Sequence, residues 1–239
     1  MTDRINQYGQ SIGKEMDGWQ PRPFPAPVTL AGQYCRLQPL DVERHAEELY
    51  QAFQCSGDND SLWTYLAAGP FESFEQFRQF IATAAHSQDP LHFAVTDNQT
   101  GKAIGTLSLM RIDAKNGVVE VGHVMFSPLL QRTPLSTEAQ FLLMKHVFEI
   151  LGYRRYEWKC DHLNSPSRNA ALRLGFSFEG IFRQAVVYKG RSRDTAWFSI
   201  IDSKWPKLSE AFSHWLASGN FDSQGRQRYP LSHFQSAVL

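Results

Sequence analysis

The stretch VVEVGHVMFSPLLQRTPLSTEAQFLLMKHVFEIL, residues 118–151, decides the fold. Residues 118–126 predict a β-strand, and residues 127–136 predict a short loop. Apolar side chains then recur at helical spacing, which predicts a helix over residues 137–151. A strand that runs into the start of a helix directs backbone N–H groups and the positive end of the helix dipole at one point. Such a point binds phosphate, and Arg132 lies beside it, although ordinary α/β cores contain similar units.

The composition limits the class of protein. The chain has 239 residues, with 24 Lys and Arg against 24 Asp and Glu, so it lacks the excess positive charge of a general nucleic-acid binder. No apolar run approaches membrane-spanning length, and the N-terminus lacks the apolar core of a signal peptide. The scattered Cys35, Cys55 and Cys160 are typical of reduced thiols in a cytoplasmic protein. No Cys/His cluster has the spacing of metal ligands, so no metal site is expected.

The distribution of prolines and apolar residues predicts three regions. Residues 1–33 are polar and then proline-rich, which predicts an extended arm. Residues 34–202 carry the strand and helix patterns of one domain. Residues 203–239 predict a helix that begins near Trp205, followed by a loose polar tail beyond Gly219.

The order of elements within residues 34–202 is strand, two helices, three strands, helix, strand, helix and two strands. Short polar turns join the three consecutive strands, which predicts an antiparallel meander that leads into the central helix. The strand over residues 154–160 follows that helix, so we expect it to lie parallel to residues 118–126.

This order resembles the fold of the GCN5-related N-acetyltransferases (GNAT). The resemblance implies an α+β fold with a mixed, mostly antiparallel central sheet of about seven strands and helices on both faces. In that family, a Gln/Arg-x-x-Gly-x-Gly/Ala loop before the central helix binds the pyrophosphate of coenzyme A. Residues 131–136, QRTPLS, keep Gln131 but have Pro134 and Ser136 at the glycine positions. Because proline has no N–H to donate, hydroxyl groups nearby are expected to replace some backbone contacts.

The C-terminal part of the domain is similar to the ribosomal-protein serine N-acetyltransferases and their relatives. The segment SRNAALRLGFSFEGIFRQAVVYKGRSRDTAWFSIID, residues 167–202, carries most of the similarity. The shared marks are Asn164 with Ser167, the Leu-Gly-Phe of residues 174–176, Glu179-Gly180, and Lys189-Gly190 before Asp194. The resemblance implies an acetyl-CoA-dependent N-acetyltransferase in the ribosomal-protein serine and alanine branch.

The resemblance also assigns residues to acetyl-CoA. In the family, the fourth and fifth strands separate at their ends, and the pantetheine arm pairs with the backbone of the fourth strand, here Val124, Met125 and Phe126. The residues that it places around the pyrophosphate are Gln131, Arg132, Thr133, Leu135, Ser136 and Thr137. Asn164 occupies the position that hydrogen-bonds pantetheine in relatives, although an asparagine there is also a common helix N-cap.

Acetyl transfer needs one group that takes the ammonium proton and another that protonates the leaving thiolate. Ala171 replaces the tyrosine that many family members use for the thiolate, so the resemblance favours Ser167, the proton donor proposed in the ribosomal branch. The glutamate base of that branch aligns with Val186 and is therefore missing. Glu120 is the preferred substitute, and Asp161 is a further candidate.

Two other residues leave alternatives open. His123 has a suitable pKa for a base, but strict alternation puts it on the opposite face of the strand from Glu120, unless a bulge near Gly122 changes this. Cys160 could form a covalent acetyl-enzyme, but direct transfer is the family norm and nothing visible in the sequence activates this thiol.

The acceptor is either a protein N-terminal amine, which needs an open groove, or a small amine, which needs a closed pocket. Trp63, Tyr65 and Trp205 could wall such a pocket, or could simply belong to the core. The basic turn at residues 189–194 either contacts an acidic substrate or is a solvated hairpin tip. The replaced motif residues also fit a non-catalytic sensor that binds coenzyme A or an acyl-CoA. No nucleic acid or membrane partner is expected, and the chain is a monomer or a homodimer.

Overall fold

A mixed sheet of eight strands crosses the molecule in the computed structural model, which describes residues 4–55 and 60–237. In chain order the strands are β1 (Arg4–Ile5), β2 (Ser11–Ile12), β3 (Leu30–Ala31), β4 (Cys35–Pro39), β5 (Leu91–Asp97), β6 (Ala103–Asp113), β7 (Val118–Phe126), β8 (Arg155–Asp161), β9 (Ser177–Tyr188) and β10 (Arg191–Ile201). Strands β1 and β2 pair with each other, and the sheet has the order β3-β4-β5-β6-β7-β8-β10-β9. Neighbouring strands are antiparallel except β7 and β8, which are parallel because a helix connects them. The mixed, mostly antiparallel sheet is confirmed.

Helices cover both faces of this sheet, as expected. They are α1 (Val42–Phe53), α2 (Phe74–Ala85), α3 (Pro134–Lys145), α4 (Ser165–Arg173), α5 (Trp205–Leu216) and α6 (Leu231–Ala237). On one face, the larger core cluster joins α3 and α5 to side chains such as Val119 and Val121 of β7. On the other face, a second cluster joins α1 and α2 to Ala94 and Met125. Among the described residues, no helix combines the length and the apolar character needed to cross a membrane.

The sheet has one strand more than the predicted seven. The additional strand is β3, in which Leu30 pairs with Leu37 and Ala31 with Arg36. It lies within the region predicted as an extended arm, at its proline-free end, where backbone N–H groups are available for pairing. The arm also contacts the domain, because Trp19 donates its Nε1–H to the carbonyl of Lys115 at 2.9 Å. The three-region division of the chain stays a prediction.

Two predicted boundaries were wrong. The central helix begins at Pro134 rather than at residue 137, because proline suits the first helical position and the Thr133 Oγ1 accepts the N–H of Ser136. The polar tail beyond Gly219 is not loose, because α6 lies there and its Leu231 is 1% exposed. An apolar side chain within a polar segment thus docks the tail on the larger core.

A buried glutamate ties α3 to the edge of the sheet. The carboxylate of Glu138 accepts the backbone N–H groups of Gln33, Tyr34 and Cys35, each at 2.7 Å. The turn can approach this closely because residue 32 is a glycine. A Cβ atom at Gly32 would lie only 2.5 Å from the Glu138 carboxyl carbon and would clash with it. These three bonds satisfy the backbone N–H groups at the start of β4 and hold the start of α3 in place.

We predict that Glu138→Gln lowers the free energy of unfolding by about 2 to 4 kcal/mol, because a glutamine has one acceptor oxygen and presents an N–H₂ group to backbone donors. Urea unfolding followed by circular dichroism measures this change. The matched control is Glu47→Gln on the exposed side of α1, which should change stability by less than about 0.5 kcal/mol. Equal effects of the two substitutions would contradict the role of Glu138.

Candidate active site

The parallel pair β7 and β8 separates after a short common stretch. Val118–Val121 pair with Arg155–Trp158, and the two strands have no ladder pairs beyond these four positions in the part of the chain that the structure describes. The edge of β7 from Gly122 to Phe126 therefore has no strand partner on the β8 side. Backbone groups at such a place need a hydrogen-bond partner, which a ligand with its own amide groups can supply. The predicted gap between the two strands is present.

A β-bulge bends β7 at the point where the gap opens. Ser108 pairs with Gly122 and Thr106 with Met125, so the single residue Leu107 of β6 faces both His123 and Val124. His123 has a φ of 46°, in the left-handed region of the backbone that residues other than glycine rarely adopt. A bulge of this kind increases the local twist and bends the strand, which carries β7 away from β8.

The bulge brings two predicted base candidates to one face of the sheet. Strict alternation would separate His123 from Glu120, but the inserted residue shifts the alternation, so Val124 packs in the larger cluster and Met125 in the smaller one. The His123 ring lies 5.1 Å from the ring of buried His92, which projects from the same face as Glu120. The alternative of a bulge, considered at Gly122, is the one that the structure has, and the bulge lies one residue further along β7.

Glu120 lies at the closed end of the gap within a chain of charges. Its carboxylate contacts the Lys159 Nζ at 2.8 Å and the Arg111 Nε at 3.2 Å. Lys159 also contacts Glu157 at 2.7 Å and lies 3.8 Å from the centre of the Trp197 ring. Burial raises the pKa of the Glu120 carboxyl, and the hydrogen bond and charge of Lys159 oppose that rise. Glu120 is thus held in a fixed orientation with an increased affinity for a proton.

The two histidines have lowered proton affinities. Burial, with a smaller contribution from the nearby His123, lowers the pKa of His92 to about 4. Burial of the imidazole also lowers the pKa of His123, although the residue as a whole is exposed. Both rings are therefore neutral at pH 7, and a neutral imidazole can accept a proton.

On the other side of the gap, Asp161 ends β8. Its Oδ2 accepts the hydroxyl of Tyr188 at 2.8 Å, and its Oδ1 accepts the N–H of Leu163 at 2.8 Å. Burial, and then the bond to Asp161, raise the pKa of Tyr188, so the phenol keeps its proton. Tyr188 was not predicted as a site residue, because nothing in the local sequence indicates that the β9–β10 hairpin folds back onto the end of β8.

The start of α4 presents Ser167 beside the gap. The Trp158 Nε1–H donates to the Ser167 Oγ at 3.0 Å, and the Ser167 N–H donates to the Asn164 Oδ1 at 3.1 Å. Since the Oγ already accepts one bond, its own proton is directed elsewhere. Asn164 acts as the N-cap, and its amide N–H₂ is free among the described residues to meet a carbonyl. Burial raises the pKa of Cys160, which disfavours a thiolate nucleophile there.

In the loop before α3, some hydrogen-bonding groups already have partners within the chain and others do not. Gln131 donates its side-chain N–H to the carbonyl of Phe126 at 2.8 Å, and the Thr137 Oγ1 accepts from Arg173 at 3.0 Å. In contrast, the exposed Arg132 has no ion pair, and the backbone N–H groups of Arg132 and Thr133 have no acceptor among the described residues. These donors lie at the positive end of α3, so the loop fits a pyrophosphate despite Pro134. Arg173, which the sequence analysis did not assign to this loop, adds a second positive charge.

The aromatic residues predicted to wall a pocket do not lie together. Trp205 stacks on Phe148, with ring centres 5.0 Å apart, in the larger core beside α3. Trp63 is buried in the smaller cluster on the opposite face. The side chain of Tyr65 reaches the carbonyl of Leu163 at 3.2 Å. The basic turn at residues 189–192 is exposed, as the alternative of a solvated tip predicts, but the Lys189 Nζ also donates to the carbonyl of Trp63 at 2.7 Å.

A mixed sheet in which two parallel strands separate beside a helix start that can bind phosphate defines the class of acyl-CoA-dependent acyltransferases. The family model described as an acetyltransferase (GNAT) domain matches residues 35–177. The chain belongs to the GNAT acetyltransferase family, whose members use acetyl-CoA. It is therefore an acetyl-CoA-dependent N-acetyltransferase by family.

Individual relatives agree with this family. The chain is 49% identical to a GCN5-related N-acetyltransferase from Brucella melitensis, whose crystal structure matches with a TM-score of 0.91 over 92% of this chain and 100% of that one. A structure described as a GNAT-family acetyltransferase from Chromobacterium violaceum is 42% identical, with a TM-score of 0.76 over 82% of this chain and 98% of that one. YdaF of Bacillus subtilis, to which a ribosomal N-acetyltransferase activity is ascribed, is 27% identical over 71% of this chain and 90% of its own length. The similarity to the ribosomal branch is confirmed.

We predict that Arg132→Ala weakens acetyl-CoA binding by about 1 to 3 kcal/mol, because it removes a charge-assisted bond to the pyrophosphate. Isothermal titration calorimetry measures the dissociation constant. Arg44→Ala, on the exposed first turn of α1, is the matched control and should bind like the wild type. An unchanged affinity in Arg132→Ala would remove this residue from the pyrophosphate site.

Proposed function

We propose that the protein transfers the acetyl group of acetyl-CoA directly to a primary amine. The acceptor is a protein N-terminus, toward which the similarity to YdaF points, or a small amine. The observation that carries the proposal is the separation of β7 and β8 after Val121 and Trp158, beside a helix start with free backbone donors. When bound, acetyl-CoA would supply the activated thioester whose acetyl group is transferred.

Residues on the two sides of the gap would hold this molecule. The free β7 edge at Val124, Met125 and Phe126 would pair with the amide groups of the pantetheine arm. Donors of Arg132 and Thr133 would bind the pyrophosphate, and the amide of Asn164 would bind a pantetheine carbonyl. The remaining predicted residues of the loop, Gln131, Leu135, Ser136 and Thr137, would shape it rather than bind directly, since their three polar side chains already make other hydrogen bonds.

The amine would approach on the face that carries Glu120, His123 and Asp161. We propose Glu120 as the proton acceptor, directly or through a water molecule, because its pKa is raised and Lys159 fixes its orientation. His123 is the second candidate, because the bulge turns its neutral ring toward the same face. Asp161 is already hydrogen-bonded by Tyr188, which makes it the weakest of the three.

Ser167 would donate the proton that neutralises the leaving thiolate. The bond from Trp158 to the Ser167 Oγ leaves the hydroxyl proton free to point away from the indole.

A cytoplasmic location is also part of the proposal, supported by three free cysteines.

A direct test is to incubate the protein with acetyl-CoA and a panel of primary amines and to measure the release of free thiol. The proposal expects release that depends on both substrates. Tight acetyl-CoA binding without thiol release from any amine or peptide would support the alternative of a non-catalytic acyl-CoA sensor, which Pro134, Ala171 and Val186 motivate.

We predict that Glu120→Gln lowers kcat by about 10²- to 10⁴-fold, because the amide cannot accept the proton. The affinity for acetyl-CoA, measured by calorimetry, should stay within about twofold of the wild type. Glu157→Gln is the matched control, since it also removes a carboxylate from Lys159, and it should cost less than about tenfold in kcat. Wild-type turnover in folded Glu120→Gln would reassign the base.

We predict that kcat/KM falls on the acid side with an apparent pKa above the ordinary carboxyl value if Glu120 is the base, because burial raises the pKa of Glu120, or below the ordinary imidazole value if His123 is the base, because burial lowers the pKa of His123. A base must be unprotonated, so activity is lost as pH falls through this value. A pH profile of His123→Gln separates the two residues. If Glu120 is the base, the His123→Gln variant keeps the loss of activity at low pH. If that loss is absent from the profile of the variant, His123 is the base.

A further inference from the structure

The end of the gap on the Glu120 face is crossed by a loop. We call residues 63–68 the bridging loop and residues 188–191 the hairpin tip. The bridging loop follows the 3₁₀ turn Asp60–Trp63 and precedes α2. Trp63 begins it and is buried in the smaller core cluster, which also contains Met125 of β7. One end of the bridging loop is therefore fixed to the layer of α1 and α2, which packs on β5 and β6, on the β7 side of the gap.

The hairpin tip ties both ends of the bridging loop to the β8 side. Thr195 of β10 pairs with Asp161, the last residue of β8, so the tip extends beyond the end of β8. There the Lys189 Nζ donates to the carbonyls of Trp63 at 2.7 Å and Ala68 at 3.1 Å. Arg191 donates to the carbonyl of Thr64.

A further bond joins the bridging loop to the connection between β8 and α4. The Tyr65 hydroxyl donates to the carbonyl of Leu163 at 3.2 Å. Leu163 follows Asp161 by two residues, and Asp161 accepts the hydroxyl of Tyr188 from the hairpin tip at 2.8 Å. The bridging loop, the hairpin tip and the end of β8 thus form one hydrogen-bonded enclosure.

The chemistry of these bonds explains why two cations occupy the hairpin tip. Backbone carbonyls, rather than carboxylates, accept from Lys189 and Arg191, so these bonds do not depend on which side chains the bridging loop carries. The same bonds direct both cations toward the bridging loop. Bonds of this kind can break and re-form without loss of the sheet or of the core.

We infer that the acceptor is a small primary amine that fits wholly beneath the bridging loop, rather than the N-terminus of a protein. This inference rests on the proposed function. Glu120 on β7 and Asp161 at the end of β8 lie on the two sides of the gap, and their carboxylates favour an ammonium group between them. A polypeptide acceptor would need a path for the residues that come after its first amine, and the bridging loop lies across that path.

The test compares acceptors that share one reacting group. Serine amide, a serine-initiated dipeptide, a serine-initiated hexapeptide and a small protein with the same N-terminus differ only in the length of chain attached to the first residue. Matched sets can begin with alanine or another residue. With saturating acetyl-CoA, kcat/KM should fall by at least about tenfold from the best amide to its hexapeptide. Small amines without a peptide group complete the panel.

The double variant Lys189→Ala/Arg191→Ala releases the bridging loop and should raise kcat/KM for the hexapeptide by about tenfold while changing that for the small amine less. Tyr65→Phe removes one bond with little risk to folding and should shift the preference in the same direction. The matched control is Arg183→Ala, an exposed arginine on β9 whose side chain makes no contact with the bridging loop. Thermal unfolding and acetyl-CoA affinity show whether each variant is folded.

Equal kcat/KM for amide and hexapeptide in the wild type would overturn the inference but leave the proposed function standing. A folded double variant whose acceptor preference matches the wild type would also overturn it, because the enclosure would not then select the acceptor. Binding of acetyl-CoA with no acetylation of any acceptor would overturn the proposed function itself and the inference with it.

Discussion

The structure depends on where the pairing of β7 and β8 stops. Both strands are held on their outer sides, β7 by β6 and β8 by β10, while the parallel ladder between them covers only Val118–Val121 and Arg155–Trp158. The bulge at His123 turns the rest of β7 away, and α4 begins just beyond the end of β8. The unpaired edge is thus a consequence of backbone geometry, and it sits between two helix starts that can bind a polar ligand.

Charged side chains are buried at the closed end of this gap, and burial of charge costs free energy. Lys159 is 6% exposed at its side chain and contacts both Glu120 and Glu157. Buried ion pairs add little net stability compared with apolar packing, whereas removal of one partner is strongly destabilising. In the proposed mechanism, a rigid carboxylate that faces the acceptor would give this arrangement a function that packing alone does not require. The neighbouring core clusters, which are apolar, supply the stability of the fold instead.

The sequence allowed prediction of features that depend on local chemistry and spacing. The strand and helix order and the parallel strand after α3 follow from periodicity, and the alternative of Asn164 as an N-cap follows from its ability to accept a backbone N–H group. The sequence left the face of His123 open, because a single inserted residue leaves no clear mark in an alternating strand. Local pattern could not predict the contacts of Tyr188 or Lys189, since they join segments far apart in the chain.

The central claim is that the open edge of β7 binds acetyl-CoA through its backbone. Hydrogen–deuterium exchange measured residue by residue tests it most directly. Without ligand, amides of residues 122–126 that face β8 should exchange quickly, while amides of Val118–Val121 in the β7–β8 ladder should be protected. Saturating acetyl-CoA should slow exchange at residues 122–126 and leave that at Val118–Val121 unchanged. Exchange at residues 122–126 that stays the same while acetyl-CoA is bound would contradict the account.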